Sequence, residues 1–221
     1  MLTTTAATHA VRCSPPKIWL PSVESQHLPP LTACLAQIYV GFLRRQEENL
    51  VAVHPPAPDL ADSQWFNTDT ELNLADLRGE VVVIEAFQML CPGCVSHGLP
   101  QAQRIAARFG DDLTVLGLHT VFEHHAAMTP TSLEAFLHEY RITFPVGVDQ
   151  AEPGNTMPIT MRRYQLPGTP SLLAIDRSGA LRANAFGQVD DLGLGALLAR
   201  LIDEPSPDGV AAPPGVIDSG S

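Results

Sequence analysis

The sequence predicts an α/β protein with one mixed β-sheet and helices on both of its faces. In the middle of the 221-residue chain, short and almost continuously apolar runs alternate with segments of helical periodicity. Such runs are typical of strands buried on both faces, and their alternation with helices indicates parallel connections. The last two runs flank a tight turn and therefore indicate an antiparallel hairpin. Parallel connections and a hairpin together predict a mixed sheet.

Each element follows from a local pattern. A turn at residues 77–80 leads into the central strand. The spacing of apolar residues predicts the first helix, with a kink at Pro100. A capping-box pattern at residue 131 predicts the start of the second helix. The predicted strands are residues 64–70 (strand or turn), 81–88, 113–121, 144–148, 171–176 and 180–187. The predicted helices are residues 94–109, 131–140 and 190–202.

Composition divides the chain into three parts. Residues 1–56 mix Thr, Ala and Pro around a candidate amphipathic helix at residues 31–48, which predicts a partly disordered N-terminal extension. Residues 57–204 carry the folded unit, and residues 205–221 are a flexible tail rich in Pro, Gly and Ser. Cys13 and Cys34 lie in the extension and are interpreted as incidental thiols.

Charge and hydropathy restrict the partners. A formal net charge of −11 without a Lys/Arg cluster argues against nucleic acid. The apolar stretch at residues 31–43 is too short for a membrane span, and because its positive charges follow it, it fits an export signal poorly. We therefore expect a cytoplasmic protein. The alternative is a periplasmic or lipid-anchored protein, since residues 31–34 resemble an acylation box. The sequence predicts no particular oligomeric state.

A Cys-x-x-Cys pair follows the central strand directly and precedes a helical segment. A thiolate at such a junction is stabilised by free amide groups and the helix dipole, so a lowered pKa is expected for Cys91. Cys94 lies one turn later on the same helix face and is placed to close a disulfide with Cys91. The pair is therefore predicted to be redox-active, with Cys91 as the nucleophile and with no cofactor.

Three features together resemble the thioredoxin-like superfamily, in its TlpA-like and peroxiredoxin-related (AhpC/TSA-type) branch of thiol-disulfide oxidoreductases. The first is the strand that runs into Cys91-Pro92-Gly93-Cys94, and the second is Gly168-Thr169-Pro170-Ser171 ahead of a strand, which matches the cis-proline loop. The third is the stretch 65–79, which resembles the extra N-terminal hairpin of this branch. The resemblance covers residues 60–203 and implies a thioredoxin fold with an N-terminal β extension.

The resemblance assigns roles to the residues of the active site. Cys91 would attack a disulfide and Cys94 would resolve the mixed disulfide. Pro170 would face the dithiol in the cis form and leave the Thr169 backbone free to pair with an extended substrate. Glu85 occupies the position of a buried acid in thioredoxin, and would accept the proton of Cys94.

The implied partners are a disulfide-containing protein or small molecule as substrate and an upstream thiol reductant. Besides Thr169, the predicted substrate contacts are Pro92 and Gly93 between the cysteines and Met89 just before them. Two departures from the thioredoxin pattern leave the redox potential open: Leu90 replaces the usual aromatic residue, and the dipeptide between the cysteines is Pro-Gly rather than Gly-Pro.

Other functions remain open at this point. A thiol peroxidase would use Cys91 as the peroxidatic and Cys94 as the resolving residue, but Ile84 and Gln88 stand where peroxiredoxins have a Pro and a Thr or Ser. A non-catalytic redox sensor or binding module is a further alternative. A metal site with His97 lacks a fourth ligand of the usual kind.

Three further histidines lie near the end of the second buried strand. His119, His124 and His125 are interpreted as solvated loop residues at the rim of the site, where they would tune a thiolate if they approached it.

Overall fold

Six strands form one sheet in the order β1-β4-β3-β2-β5-β6, and the computed structural model describes residues 54–206 of the chain. The strands are β1 (Asp62–Phe66), β2 (Val81–Phe87), β3 (Leu113–His119), β4 (Val146–Asp149), β5 (Ser171–Ile175) and β6 (Leu181–Phe186). The helices are a π-helical turn (Cys94–Gly98), α1 (Leu99–Phe109), α2 (Pro130–Glu139), α3 (Ile159–Arg163) and α4 (Asp191–Asp203). The candidate helix at residues 31–48, Cys13, Cys34 and most of the predicted extension and tail lie outside the described residues.

The sheet is mixed, as the sequence predicts. β2, β3 and β4 run parallel, whereas β1 pairs antiparallel with β4, and β5 pairs antiparallel with both β2 and β6. All seven residues of β2 are buried because an apolar layer covers each face of the sheet. The carboxyl end of this central strand delivers the chain to the Cys-x-x-Cys segment.

The helix after the dithiol differs from its prediction. Instead of one α-helix kinked at Pro100, the chain forms a π-helical turn and then α1, which has Pro100 in its first turn. A proline in the first turn costs no intrahelical hydrogen bond, so it starts α1 rather than bending it. The amide of Leu99 donates to the carbonyl of Cys94, five residues back, which is the π-helical spacing.

The predicted β extension at the N-terminal side of the fold is present, but it does not form the predicted hairpin. β1 is present as an extension of the sheet, but it pairs with β4, and residues 68–80 form turns without a strand. Trp65 donates from Nε1 to Asp62 Oδ2 at 2.7 Å and so contributes to β1. The sequence has no second run of alternating apolar residues in this stretch that would supply a hairpin partner.

Two helical features also differ from their predictions. α2 is capped by Thr129, whose hydroxyl accepts from the amide of Ser132, rather than by the capping box predicted at residue 131. Pro130 at the first helical position favours this earlier start. The short helix α3 was not predicted, because five residues are too few to show a helical period.

Within residues 54–206, no helix is both long and apolar enough to cross a membrane.

Candidate active site

The dithiol lies where β2 ends and the π-helical turn begins. Both cysteines carry free thiols; Cys91 is partly exposed, whereas Cys94 is fully buried. The amide of Cys94 donates to Cys91 Sγ at 3.2 Å, which stabilises negative charge on that sulfur. The accessible sulfur of the pair is therefore the one that accepts a backbone amide hydrogen bond.

The loop before β5 closes over the dithiol. The Thr169–Pro170 peptide bond is cis, as the resemblance implies. Cys91 Sγ lies 3.4 Å from the carbonyl oxygen of Thr169, and a Cβ atom on Gly93 would fall 3.1 Å from Pro170 Cδ. Gly93 thus lets the proline ring lie directly against the backbone between the two cysteines.

Glu85 is the buried acid of the site. It lies on β2, is 1 % exposed, and its Oε1 atom has no hydrogen-bond partner among the described residues. Burial, and secondarily the negative charge of Cys91, raise the pKa of Glu85 to about 8. A carboxyl with that pKa exchanges protons near neutral pH, as a general acid or base must.

The two thiols are chemically unequal. Burial, followed by the hydrogen bond with Cys91, raises the pKa of Cys94 to about 12. Cys94 is therefore a thiol at neutral pH and needs a base before it can attack.

Gly98 is a site residue that the sequence reasoning missed. A Cβ atom at this position would fall 2.1 Å from Glu85 Oε1 and 2.9 Å from Pro170 Cβ, so only glycine lets the carboxyl and the cis-proline pack here. Gly98 ends the π-helical turn that begins at Cys94, so the carboxyl of Glu85 packs against the same turn that carries the buried thiol. A glycine inside a helical pattern was the available signal.

The remaining predicted contacts differ in exposure. Pro92 is exposed and Gly93 partly exposed beside Cys91, whereas Met89 is only 7 % exposed and packs in the core beneath the dithiol. Leu90 and Phe186 are large apolar side chains that are more than half exposed, and Phe186 packs against Gly168 at the start of the cis-proline loop. Phe186 was missed because β6 shows no motif.

The histidines divide into two kinds. His124 and His125 are exposed loop residues, as predicted. His119 is instead the last residue of β3 and is 1 % exposed, with its ring centroid 5.4 Å from that of Phe87. Burial lowers the pKa of His119 to about 4, so the side chain is neutral at physiological pH. His97 is exposed and its Nδ1 atom lies 2.6 Å from Ser96 Oγ.

Comparison with known proteins gives solved structures that match about two thirds of the chain. No family model matches the sequence. A thioredoxin-like superfamily protein of known crystal structure has 64% sequence identity to this chain and a TM-score of 0.68. The match covers 69% of this chain and 99% of that one. A thiol-disulfide isomerase from Corynebacterium glutamicum is 51% identical, with a TM-score of 0.65, over 67% of this chain and 97% of that one.

The curated relatives are longer proteins. Protein DipZ of Mycobacterium bovis is 27% identical over 161 residues, which are 71% of this chain and 22% of DipZ. The chain therefore spans about a fifth of the length of the DipZ proteins that it matches.

A dithiol at the end of a central strand, facing a cis-proline loop, defines an oxidoreductase of the thioredoxin type. The two solved structures extend that likeness over nearly their whole length at more than half identity. The chain belongs to the thioredoxin-like superfamily, in its branch of thiol-disulfide oxidoreductases.

Proposed function

We propose that the protein exchanges disulfides through Cys91 and Cys94, reducing or rearranging disulfide bonds in protein or small-molecule substrates. The observation that carries this proposal is the asymmetry of the dithiol. One sulfur is partly exposed and accepts an amide N–H, whereas the other is buried, protonated and carried by the helical turn that packs against Glu85. Such a pair suits a nucleophile and a resolving thiol.

The first step is attack by the Cys91 thiolate on a substrate disulfide. A sulfur–sulfur bond forms between Cys91 and one substrate sulfur, while the other substrate sulfur leaves as a thiolate and takes a proton from water. The partly exposed Thr169 pairs through its backbone with an extended substrate, and Pro92 and Gly93 line the other side of that substrate. Met89 supports this surface from beneath rather than from the open side.

The second step resolves the mixed disulfide. Glu85 takes the proton of Cys94, and the resulting thiolate attacks Cys91 Sγ. The bond between Cys91 and the substrate breaks, the substrate leaves reduced, and the Cys91–Cys94 disulfide forms. An upstream thiol reductant then supplies the two electrons that restore the dithiol.

The compartment sets the direction of exchange. In the cytoplasm, which the sequence predicts, cellular thiols keep the pair reduced and the protein acts as a reductase. In the periplasmic or lipid-anchored alternative, the same pair would meet oxidising surroundings, and its direction would follow from its redox potential.

The test is to trap the mixed disulfide. In Cys94→Ser the second step is blocked, so a protein disulfide substrate should stay attached to Cys91 and appear as a thiol-sensitive adduct by mass spectrometry. Cys91→Ser is the matched control and should trap nothing. The absence of an adduct in Cys94→Ser would contradict the order of attack, and faster thiol loss with hydrogen peroxide than with the disulfide would favour the peroxidase.

A further inference from the structure

A cavity of about 330 Å³ lies beside the π-helical turn and reaches Glu85. It is bounded by the turn, by α1, and by residues 187–191, which connect β6 to α4. Neither Cys91 nor Cys94 lines it. Glu85 therefore borders this separate cavity and also lies close enough to Cys91 to be affected by its charge.

The contact with the cavity depends on Gly98. This residue is one of the cavity's lining residues, and a side chain on it would occupy the place of Glu85 Oε1. The same Oε1 atom is buried and has no hydrogen-bond partner among residues 54–206. An unpartnered carboxyl oxygen beside a polar cavity with room for several waters is suited to a water as its partner.

The walls of the cavity are polar and held in place. Gln101 donates from Nε2 to Asp191 Oδ1 at 2.6 Å and to the carbonyl of Val189 at 2.9 Å, and Arg104 pairs with Asp191 at 3.1 Å. The charged and titratable groups that line the cavity together with Glu85 are His97, Arg104, Asp190 and Asp191, and on the dithiol side the charge of Cys91 acts on Glu85.

The proposed reaction requires Glu85 to lose a proton while the substrate is still joined to Cys91. In the reduced protein the charge of Cys91 helps to keep Glu85 protonated. When Cys91 enters a mixed disulfide that charge disappears, and Glu85 must lose its proton before it can accept one from Cys94. The substrate then covers the dithiol surface, and Glu85 itself is 1 % exposed.

We propose that Glu85 exchanges its proton with solvent through the cavity beside Gly98 while the substrate is joined to Cys91. This inference rests on the proposed function. The proton on Glu85 passes to cavity water, the proton of Cys94 then moves to Glu85, and Cys94 Sγ forms its bond to Cys91 Sγ as the substrate sulfur leaves with the electron pair of the broken bond. Gly98 acts as a positioning residue, because it lets the carboxyl border the cavity while lying close to Cys91.

The first test fills the cavity. Gln188 is an exposed lining residue, and Gln188→Trp should slow substrate release from the mixed disulfide by about tenfold or more while formation stays within about twofold. Gln150→Trp is the matched control, because Gln150 is also exposed but lies outside the cavity, directly after β4. Stopped-flow measurement on the full chain separates the two steps. An unchanged release rate in folded Gln188→Trp would overturn the proposal.

The second test replaces the acid and does not depend on a bulky side chain. In Glu85→Ala, formate added to the solution should enter through the cavity and restore part of the lost release rate, whereas a buffer too large for the cavity should not. Failure of formate to raise the rate would overturn the proposal. Failure of the proposed function can be told apart, because in that case Cys94→Ser would trap no mixed disulfide. If Cys94→Ser traps the mixed disulfide but Gln188→Trp releases substrate as fast as the unmodified protein, only the proton route through the cavity is wrong.

Discussion

Two buried carboxyl groups, Glu85 on β2 and Asp149 on β4, lie in opposite hydrogen-bonding environments, although only β3 separates their strands. Asp149 ends β4, and its oxygens accept from the amides of Thr160 and Met161 and from the hydroxyl of Thr120. Glu85 lies in the middle of β2, and its Oε1 atom has no such partner. Burial raises the pKa of both groups.

This difference in hydrogen-bond partners separates an acid that stabilises the fold, Asp149, from an acid that can exchange a proton, Glu85. The partners of Asp149 stabilise its charge and attach the start of α3 to the end of β4. Their hydrogen bonds lower its pKa and so oppose the effect of burial. For Glu85 nothing opposes burial, and the neighbouring Cys91 charge adds to it, so the proton is held near neutral pH. An unsatisfied buried carboxyl costs stability, and in this fold it is found beside the dithiol.

The largest expected effect is on stability as a function of pH. Folding raises the pKa of Glu85 from 4.5 to about 8, so the folded state binds more protons than the unfolded state between these values. The stabilising contribution of the proton is complete below pH 4.5 and is lost as the pH rises through about 8. The free energy of unfolding should therefore fall relative to Glu85→Gln across this window, by about 1.4 kcal/mol per pH unit at most.

Urea unfolding of both proteins from pH 5 to pH 9 measures this difference. Asp149→Asn is the control, and its free energy of unfolding should keep the dependence on pH that Glu85 causes. A difference between the unmodified protein and Glu85→Gln that stays constant with pH would show that Glu85 does not hold a proton in the folded state.

The second expected effect is on stability at a single pH. Asp149→Asn replaces an acceptor oxygen with an amide that faces backbone donors, so it should lower the free energy of unfolding by about 2 to 3 kcal/mol at pH 7. Glu85→Gln should lower it much less or raise it, because the glutamine replaces a carboxyl that is mostly protonated and unpartnered there. Equal losses in urea unfolding would remove the contrast between the two acids.

The sequence was sufficient to identify Glu85 as a buried carboxyl, but not to show that its environment differs from that of Asp149. A carboxyl in the continuously apolar run of β2 is conspicuous, and Cys-x-x-Cys and Gly-Thr-Pro are local patterns, so the mixed sheet and the residues around the dithiol were predictable. The partners of Asp149 come from residues far along the chain or from a helix too short to show a period. His119 was misjudged for the same reason, because burial by a neighbouring element leaves no local signal, whereas Gly98 was missed although a glycine inside a helical pattern is such a signal.

The third prediction concerns the reaction, where the two acids should differ in the opposite direction. Glu85→Gln removes the proton acceptor of Cys94, whose pKa is about 12, and should slow release of the mixed disulfide by about tenfold to a hundredfold, whereas its formation by Cys91 should be nearly unchanged. Asp149→Asn should leave both steps within about twofold of the unmodified protein despite its lower stability. Stopped-flow kinetics at a temperature where both variants are folded makes the comparison. If Asp149→Asn slowed release as much as Glu85→Gln, the effect would belong to the stability of the fold, and Glu85 would lose its distinct role in proton transfer.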